Sequence, residues 1–195
     1  MCPSCRSLER HRLFWLYLKH RTDFFSARYR VLDVAPQPAM MKVFYGLQNL
    51  RYETIDLQPG SAERVMDLTS LTYADGTFDW VICFHVLEHI PDDRRAMREI
   101  LRVLKPGGIA ILQSPVHEEQ ESTYEDFSIV DERGRESAFG QKDHVRVYGR
   151  DYVDRLHGEG FTVERVPFSD ELGPEVVQRC SLRPHQILYI CTKPV

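Results

Sequence analysis

The stretch from Phe78 to Gln113 constrains this chain more than any other part of it. Phe78-Asp79-Trp80-Val81-Ile82-Cys83-Phe84 is a short, nearly continuous apolar run, the profile of a strand buried on both faces. Pro91-Asp92-Asp93 then opens a helix with acids in its first turn, in which Met97, Ile100, Leu101 and Leu104 recur at helical spacing and Lys105 stands near the end. Pro106-Gly107-Gly108 stops that helix, and Ile109 to Gln113 follows directly as another strand. A strand, a helix and a strand in this order imply a right-handed crossover between parallel strands. Such a sheet needs helices on both faces.

The rest of the chain continues the alternation. Leu8 to Phe25 reads as an amphipathic helix, with Leu8, His11, Trp15 and Leu18 on one stripe. Tyr29 to Ala35 is a buried strand that stops at Pro36, and Ala39 to Leu47 can form a helix. Arg51 to Leu57 and Glu63 to Leu68 are the next two strands. After Pro115 the pattern lapses until a helix from Gly149 to His157, a strand around Phe161 to Val166 and a last strand from Gln186 to Thr192. The expected division is an N-terminal segment and helix over 1–28 and an α/β domain over 29–195, with a single core, since 195 residues suit one domain.

Composition narrows the function. A net charge of -4 gives no reason to expect nucleic acid, and the basic run from Arg6 to Arg12 reads as a solvated helix face. No segment reaches the ~20 apolar residues of a membrane span, and the first residues lack a signal peptide's apolar core. Five cysteines, one inside a strand pattern, suit a reducing compartment, so a soluble cytoplasmic protein is expected. Cys2-Pro3-Ser4-Cys5 has the form of half a zinc knuckle, but a structural zinc needs four ligands and no second pair exists, so no metal is expected.

In a doubly wound sheet the ligand lies outside the carboxyl ends of the strands. Asp33, Asp56 and Asp67 stand at the ends of the first three strands. An acid after the second can accept both ribose hydroxyls, and one after the third can receive the exocyclic amine of adenine.

These residues carry a family resemblance. Val31 to Ala35, Tyr52 to Leu57 and Phe78 to Ile82 look like the ordered nucleotide-site motifs of class I S-adenosylmethionine-dependent methyltransferases. His85-Val86-Leu87-Glu88-His89-Ile90-Pro91-Asp92, running on through Arg98 to Gly108, closely resembles the signature of the ubiquinone and menaquinone methyltransferase-like group. The resemblance implies a Rossmann-like, seven-stranded, mostly parallel sheet with helices on both faces and an antiparallel last strand. It implies S-adenosylmethionine as cofactor, with Asp33 and Ala35 at its amino-acid moiety, Asp56 and Leu57 at the ribose, and Asp67 and Leu68 at the adenine. Phe84 and His85 would line the methyl-donor pocket. One departure stands out. The family's first loop usually reads Asp-x-Gly-x-Gly-x-Gly, and here the three glycine positions are Ala35, Gln37 and Ala39, with Pro36 and Pro38 between them. A β-carbon at each narrows the approach of a ligand, and a proline removes a backbone donor.

The segment from Ser114 to Tyr148 is long for a plain connection, and topology brings it over the same strand ends, so it is expected to form the acceptor pocket. Tyr124, Arg146 and Tyr148 are the expected substrate-binding residues, for a small acceptor of anionic character. His144, then His85, are the candidate bases, since both can titrate near neutrality. Glu88 and His89 are read as capping or orienting the next helix. Two rivals stay open: a non-catalytic module that binds a nucleoside or partner, and a nucleotide-dependent oxidoreductase. The missing glycines count against the second, because a nicotinamide dinucleotide needs them at its pyrophosphate.

Overall fold

A computed structural model describes residues 1–195. Seven strands form one sheet in the order β3-β2-β1-β4-β5-β9-β8. Its members are β1 (Tyr29–Val34), β2 (Leu50–Asp56), β3 (Arg64–Val65), β4 (Phe78–Phe84), β5 (Leu104–Gln113), β8 (Thr162–Val166) and β9 (Leu188–Thr192). The first five pair in parallel, and β9 slots antiparallel between β5 and β8. The Rossmann-like α/β fold and its inserted last strand are therefore as expected.

Alternate residues of the central strands feed two cores. Leu32, Val34, Ile55, Val81 and Cys83 face α3 (Asp93–Val103) and α5 (Tyr152–Gly158). Val31, Trp80, Ile82, Phe84 and Ile111 face α1 (Glu9–Arg21) and α2 (Pro38–Phe44). Because α1 supplies Leu13, Phe14 and Leu18 to the second core, the N-terminal helix is part of this domain's packing. Its stripe is centred on Phe14 rather than Trp15, since the Phe14 ring lies 5.0 Å from Phe84. The helix also ends four residues early, at Arg21, where Thr22 turns extended and its hydroxyl donates to the Leu18 carbonyl.

Two other differences have local causes. Asp92 caps α3 by accepting the Arg95 N–H, as its sequence suggests, but Pro106-Gly107-Gly108 does not separate helix from strand. It lies within β5, which already pairs at Leu104 with Phe78, and an irregularity between Phe78 and Trp80 absorbs the extra residues. Gly108 is required there, because a β-carbon would stand 2.8 Å from the Lys105 carbonyl oxygen. The segment 114–148 is folded, with β6 (Tyr124–Glu125), α4 (Glu132–Phe139) and β7 (Arg146–Val147), the two short strands pairing antiparallel. Two short helices, α6 (Phe168–Glu171) and α7 (Pro174–Arg179), fill the return to β9.

Candidate functional site

Parallel register brings the carboxyl ends of β1, β2, β3 and β4 to one edge, with Val34 opposite both Ile55 and Cys83, and Asp56 opposite Val65. Asp33 is buried there and accepts a 2.6 Å hydrogen bond from the Tyr52 hydroxyl. Burial pushes its carboxyl up to about 7, with the Tyr52 bond opposing. Ala35 sits at φ +49, the left-handed region where a glycine is at ease and an alanine is strained. Asp56 uses one carboxylate oxygen to accept the Gln58 N–H, and Asp67 accepts from the N–H and hydroxyl of Thr69. Leu57 points outward, 65% exposed, and Leu68 is buried. Asp33, Ala35 and Phe84 border a small space of about 10 Å³ closed by His11, Phe14, Met40 and Phe44.

At the end of β4 the chain turns sharply. His85 is left-handed at φ +57, and its N–H donates to the Gln113 carbonyl of β5. The turn places its Nδ1 3.1 Å from the Glu88 carboxylate, whose other oxygen accepts from Ser114 at 3.0 Å. Glu88 is almost wholly buried, and its acidity is set by opposed effects, burial raising the pKa and the His85 bond lowering it, with a lowered result. Glu88 therefore orients His85 rather than capping a helix. A carboxylate fixing an imidazole in this way is the arrangement of a general base and its orienter. His85 opens onto a cavity of about 340 Å³ at the ends of β4 and β5, walled also by Arg10, Gln113, Ser114, His117 and Gln186.

Residues 17–112 match a family model described as a methyltransferase domain. An uncharacterized methyltransferase from Mycobacterium sp. (strain KMS) is 34% identical over 97 residues, covering 44% of this chain and 38% of the relative. Thus the match spans well under half the length of that relative. Over residues 17–112, just under half its length, the chain is similar to the class I S-adenosylmethionine-dependent methyltransferases. Solved structures agree on the fold. An S-adenosylmethionine-dependent methyltransferase from Mesorhizobium loti superposes with a TM-score of 0.63 at 15% identity, covering 93% of this chain and 98% of that one. The Burkholderia thailandensis 1,6-didemethyltoxoflavin-N1-methyltransferase, with 1,6-didemethyltoxoflavin and S-adenosylhomocysteine bound, gives 0.61 at 16% identity, covering 97% and 80%.

The residues at the strand ends fit the cofactor of this methyltransferase family. Asp56, at the end of β2, leaves one carboxylate oxygen without a partner in the protein. His11 leaves Nε2 buried and unpartnered in the wall it shares with Asp33 and Ala35. Its Nδ1 accepts the Leu8 N–H, which puts the ring proton on Nε2, and burial beside Arg10 holds its pKa down at about 4. A neutral donor thus stands in the wall beside Asp33 and Ala35. The 10 Å³ space there holds about one water.

The long segment departs most from expectation. Arg146 is fully buried and donates to the carbonyls of Leu87, Ile90 and Pro91 and to Glu125. Tyr148 is also fully buried and donates to Asp93, which Arg155 grips through two bonds. These two side chains clamp the segment onto the start of α3, and their polar groups are spent inside the protein. Tyr124 lies on β6, about half exposed, against Phe139. His144 packs edge-on against His89, with burial lowering its pKa, and lines a neighbouring cavity of about 200 Å³. Glu88, His89 and His144 each bring one ligand atom within 4.8 Å of the others, a set able to hold a divalent cation. Both Glu88 oxygens are already engaged, so a cation there competes with His85 and Ser114.

Arg10, His11, Gln113 and Gln186 carry no site signal in the sequence. Only assembly reveals them: α1 carries the first two across the edge formed by β4, and the turn into β9 brings Gln186 into the wall that Gln113 shares.

Proposed function

We propose that this chain transfers a methyl group from S-adenosylmethionine to a small-molecule acceptor in the cytoplasm, with His85 as general base. The observation that carries the reading is the Glu88–His85 pair opening onto the 340 Å³ cavity beside the strand ends of a methyltransferase fold. Volumes of this size suit small ligands. When bound, S-adenosylmethionine supplies its sulfonium methyl and is left as S-adenosylhomocysteine. With it bound, His85 would take the proton of the attacking acceptor and Glu88 would stabilise the imidazolium. Asp56 would receive the ribose hydroxyls and His11 would meet the amino-acid end. Five unpaired cysteines, two of them in the core, support the reducing compartment.

Calorimetric titration with S-adenosylhomocysteine is the first test. Asp56→Ala should weaken binding by ~1.5–3 kcal/mol, the range for a hydrogen bond to a charged group. His85→Gln should leave that affinity intact and lower transfer from labelled cofactor to a small-molecule acceptor by ~100-fold or more. A second reading, a non-catalytic binding module, is favoured by Ala35 at φ +49 and the 10 Å³ space beside it. Binding without transfer across an acceptor screen would select it, and tighter binding of a nicotinamide cofactor would remove both.

A further inference from the structure

Six buried side-chain polar atoms in this protein have no hydrogen-bond partner, and three of them belong to residues that wall the 340 Å³ cavity. They are Nε of Arg10, Oε1 of Gln113 and Oε1 of Gln186. Gln113 is only 8% exposed, and its Nε2 donates to the Ile187 carbonyl at 3.1 Å, so the amide is fixed with its oxygen unmatched. A buried polar group without a partner is costly, and three on the residues that wall one cavity would be satisfied by a ligand that draws those side chains toward it.

Charge adds a second, independent constraint. The acids in the wall are each answered: Glu9 lies 3.5 Å from Arg183, and Glu118 lies 2.6 Å from Arg165. Glu88, just behind the wall, holds His85. Arg10 has neither an ion pair nor a hydrogen bond, and burial lowers its pKa because its charge is poorly solvated. A single guanidinium without an ion pair, in a wall whose acids already have partners, suits a monoanion. A phosphate dianion would carry a second charge that this one guanidinium leaves unmatched.

We propose that the cavity binds an amino- or hydroxy-substituted monocarboxylate, its carboxylate on Arg10 and its N–H or O–H groups donating to the Gln113 and Gln186 oxygens. A guanidinium is suited to a carboxylate, and a site built to pair such donors rejects analogues that lack them. His85, in the same wall, faces an N–H or O–H of such a ligand. The word acceptor for this ligand rests on the methyltransferase reading. The ligand class rests on the unpartnered atoms and the charge.

The test uses matched probes on the full chain. 2-Aminobenzoate and 2-hydroxybenzoate are compared with their methyl esters, with benzoate and with phenyl phosphate, by ligand-observed nuclear magnetic resonance and calorimetry. The expected result is that the acids bind at least ten-fold tighter than their esters. Arg10→Met should abolish that preference, and Gln113→Leu or Gln186→Leu should erase the advantage over benzoate, each variant keeping the wild-type circular dichroism. No preference for acid over ester, a preference that survives Arg10→Met, or tighter binding of phenyl phosphate overturns the proposal. S-Adenosylhomocysteine is titrated separately. Its failure to bind, with the acid preference intact, removes the methyltransferase reading and leaves the cavity's ligand class standing.

Discussion

Burial drives two groups at the cofactor edge in opposite directions, and each makes stability depend on pH. Asp33 has its pKa raised to about 7 by desolvation, above the unfolded value of ~3.9. Its contribution is therefore fully present below about pH 4 and is lost as pH rises through 7. His11 is held at about 4, chiefly by desolvation and then by Arg10, below its unfolded value of ~6.5. Its contribution is present above about pH 6.5 and is lost as pH falls through 4. We expect Asp33→Asn, which keeps an acceptor for Tyr52, to be more stable than wild type by ~3–4 kcal/mol at pH 8, with the gain gone by pH 4. Urea midpoints across that range measure it, and a gain that does not vary with pH would show that Asp33 is not held protonated by burial. The same change should weaken binding of S-adenosylhomocysteine, whose ammonium group would favour an ionised carboxylate. The aspartates and His85 were legible in the sequence because strand ends locate them. Arg10 was not, because a solvated cation and a cavity cation in the run from Arg6 to Arg12 look alike until α1 is packed.

Among the elements, those with a strong apolar period were readable and those held by polar contacts were not. β4 was placed to the residue, and α3 to within two, since Met97 and Ile100 fill one core and Asp92 caps the helix. The segment 114–148 offered no period to read: β6 and β7 have two residues each, and only Phe139 of α4 is buried. What fixes it is the Arg146, Asp93, Arg155 and Glu125 network, whose members are up to 62 positions apart in sequence. Arg146→Met should therefore leave the Leu87, Ile90 and Pro91 carbonyls without their donor and cost ~3–5 kcal/mol, the range for breaking a buried charged pair. Amide hydrogen exchange should accelerate most across 114–148, while S-adenosylhomocysteine affinity stays near wild type. Unchanged exchange in that segment would mean that α4 and its loop contacts hold it without the clamp.

At the scale of the whole molecule, one sheet separates two cores, and its strands are the only structure common to both. β5 shows the coupling directly, because the adjacent residues Ile111 and Leu112 are both fully buried but face opposite cores. A change on either side is transmitted through the same hydrogen-bonded strand to β4 and β9. Ile111→Ala and Leu112→Ala should each cost ~2–5 kcal/mol from lost burial and the cavity left behind. The two tryptophans make the test sharp, since Trp80 lies in the core that contains Ile111 and Trp15 packs against that same core. Tryptophan fluorescence thus reports one face of the sheet, and far-ultraviolet circular dichroism reports both. If the molecule unfolds as one unit, Leu112→Ala must shift the fluorescence transition as far as the circular dichroism transition, although it touches only the face without tryptophan. If fluorescence keeps its wild-type midpoint while circular dichroism moves, the helices over the Leu112 face come away first. Cooperativity would then end at the sheet, and the cofactor edge, built from α1, α2 and the strand ends, would survive the loss of α3 and α5.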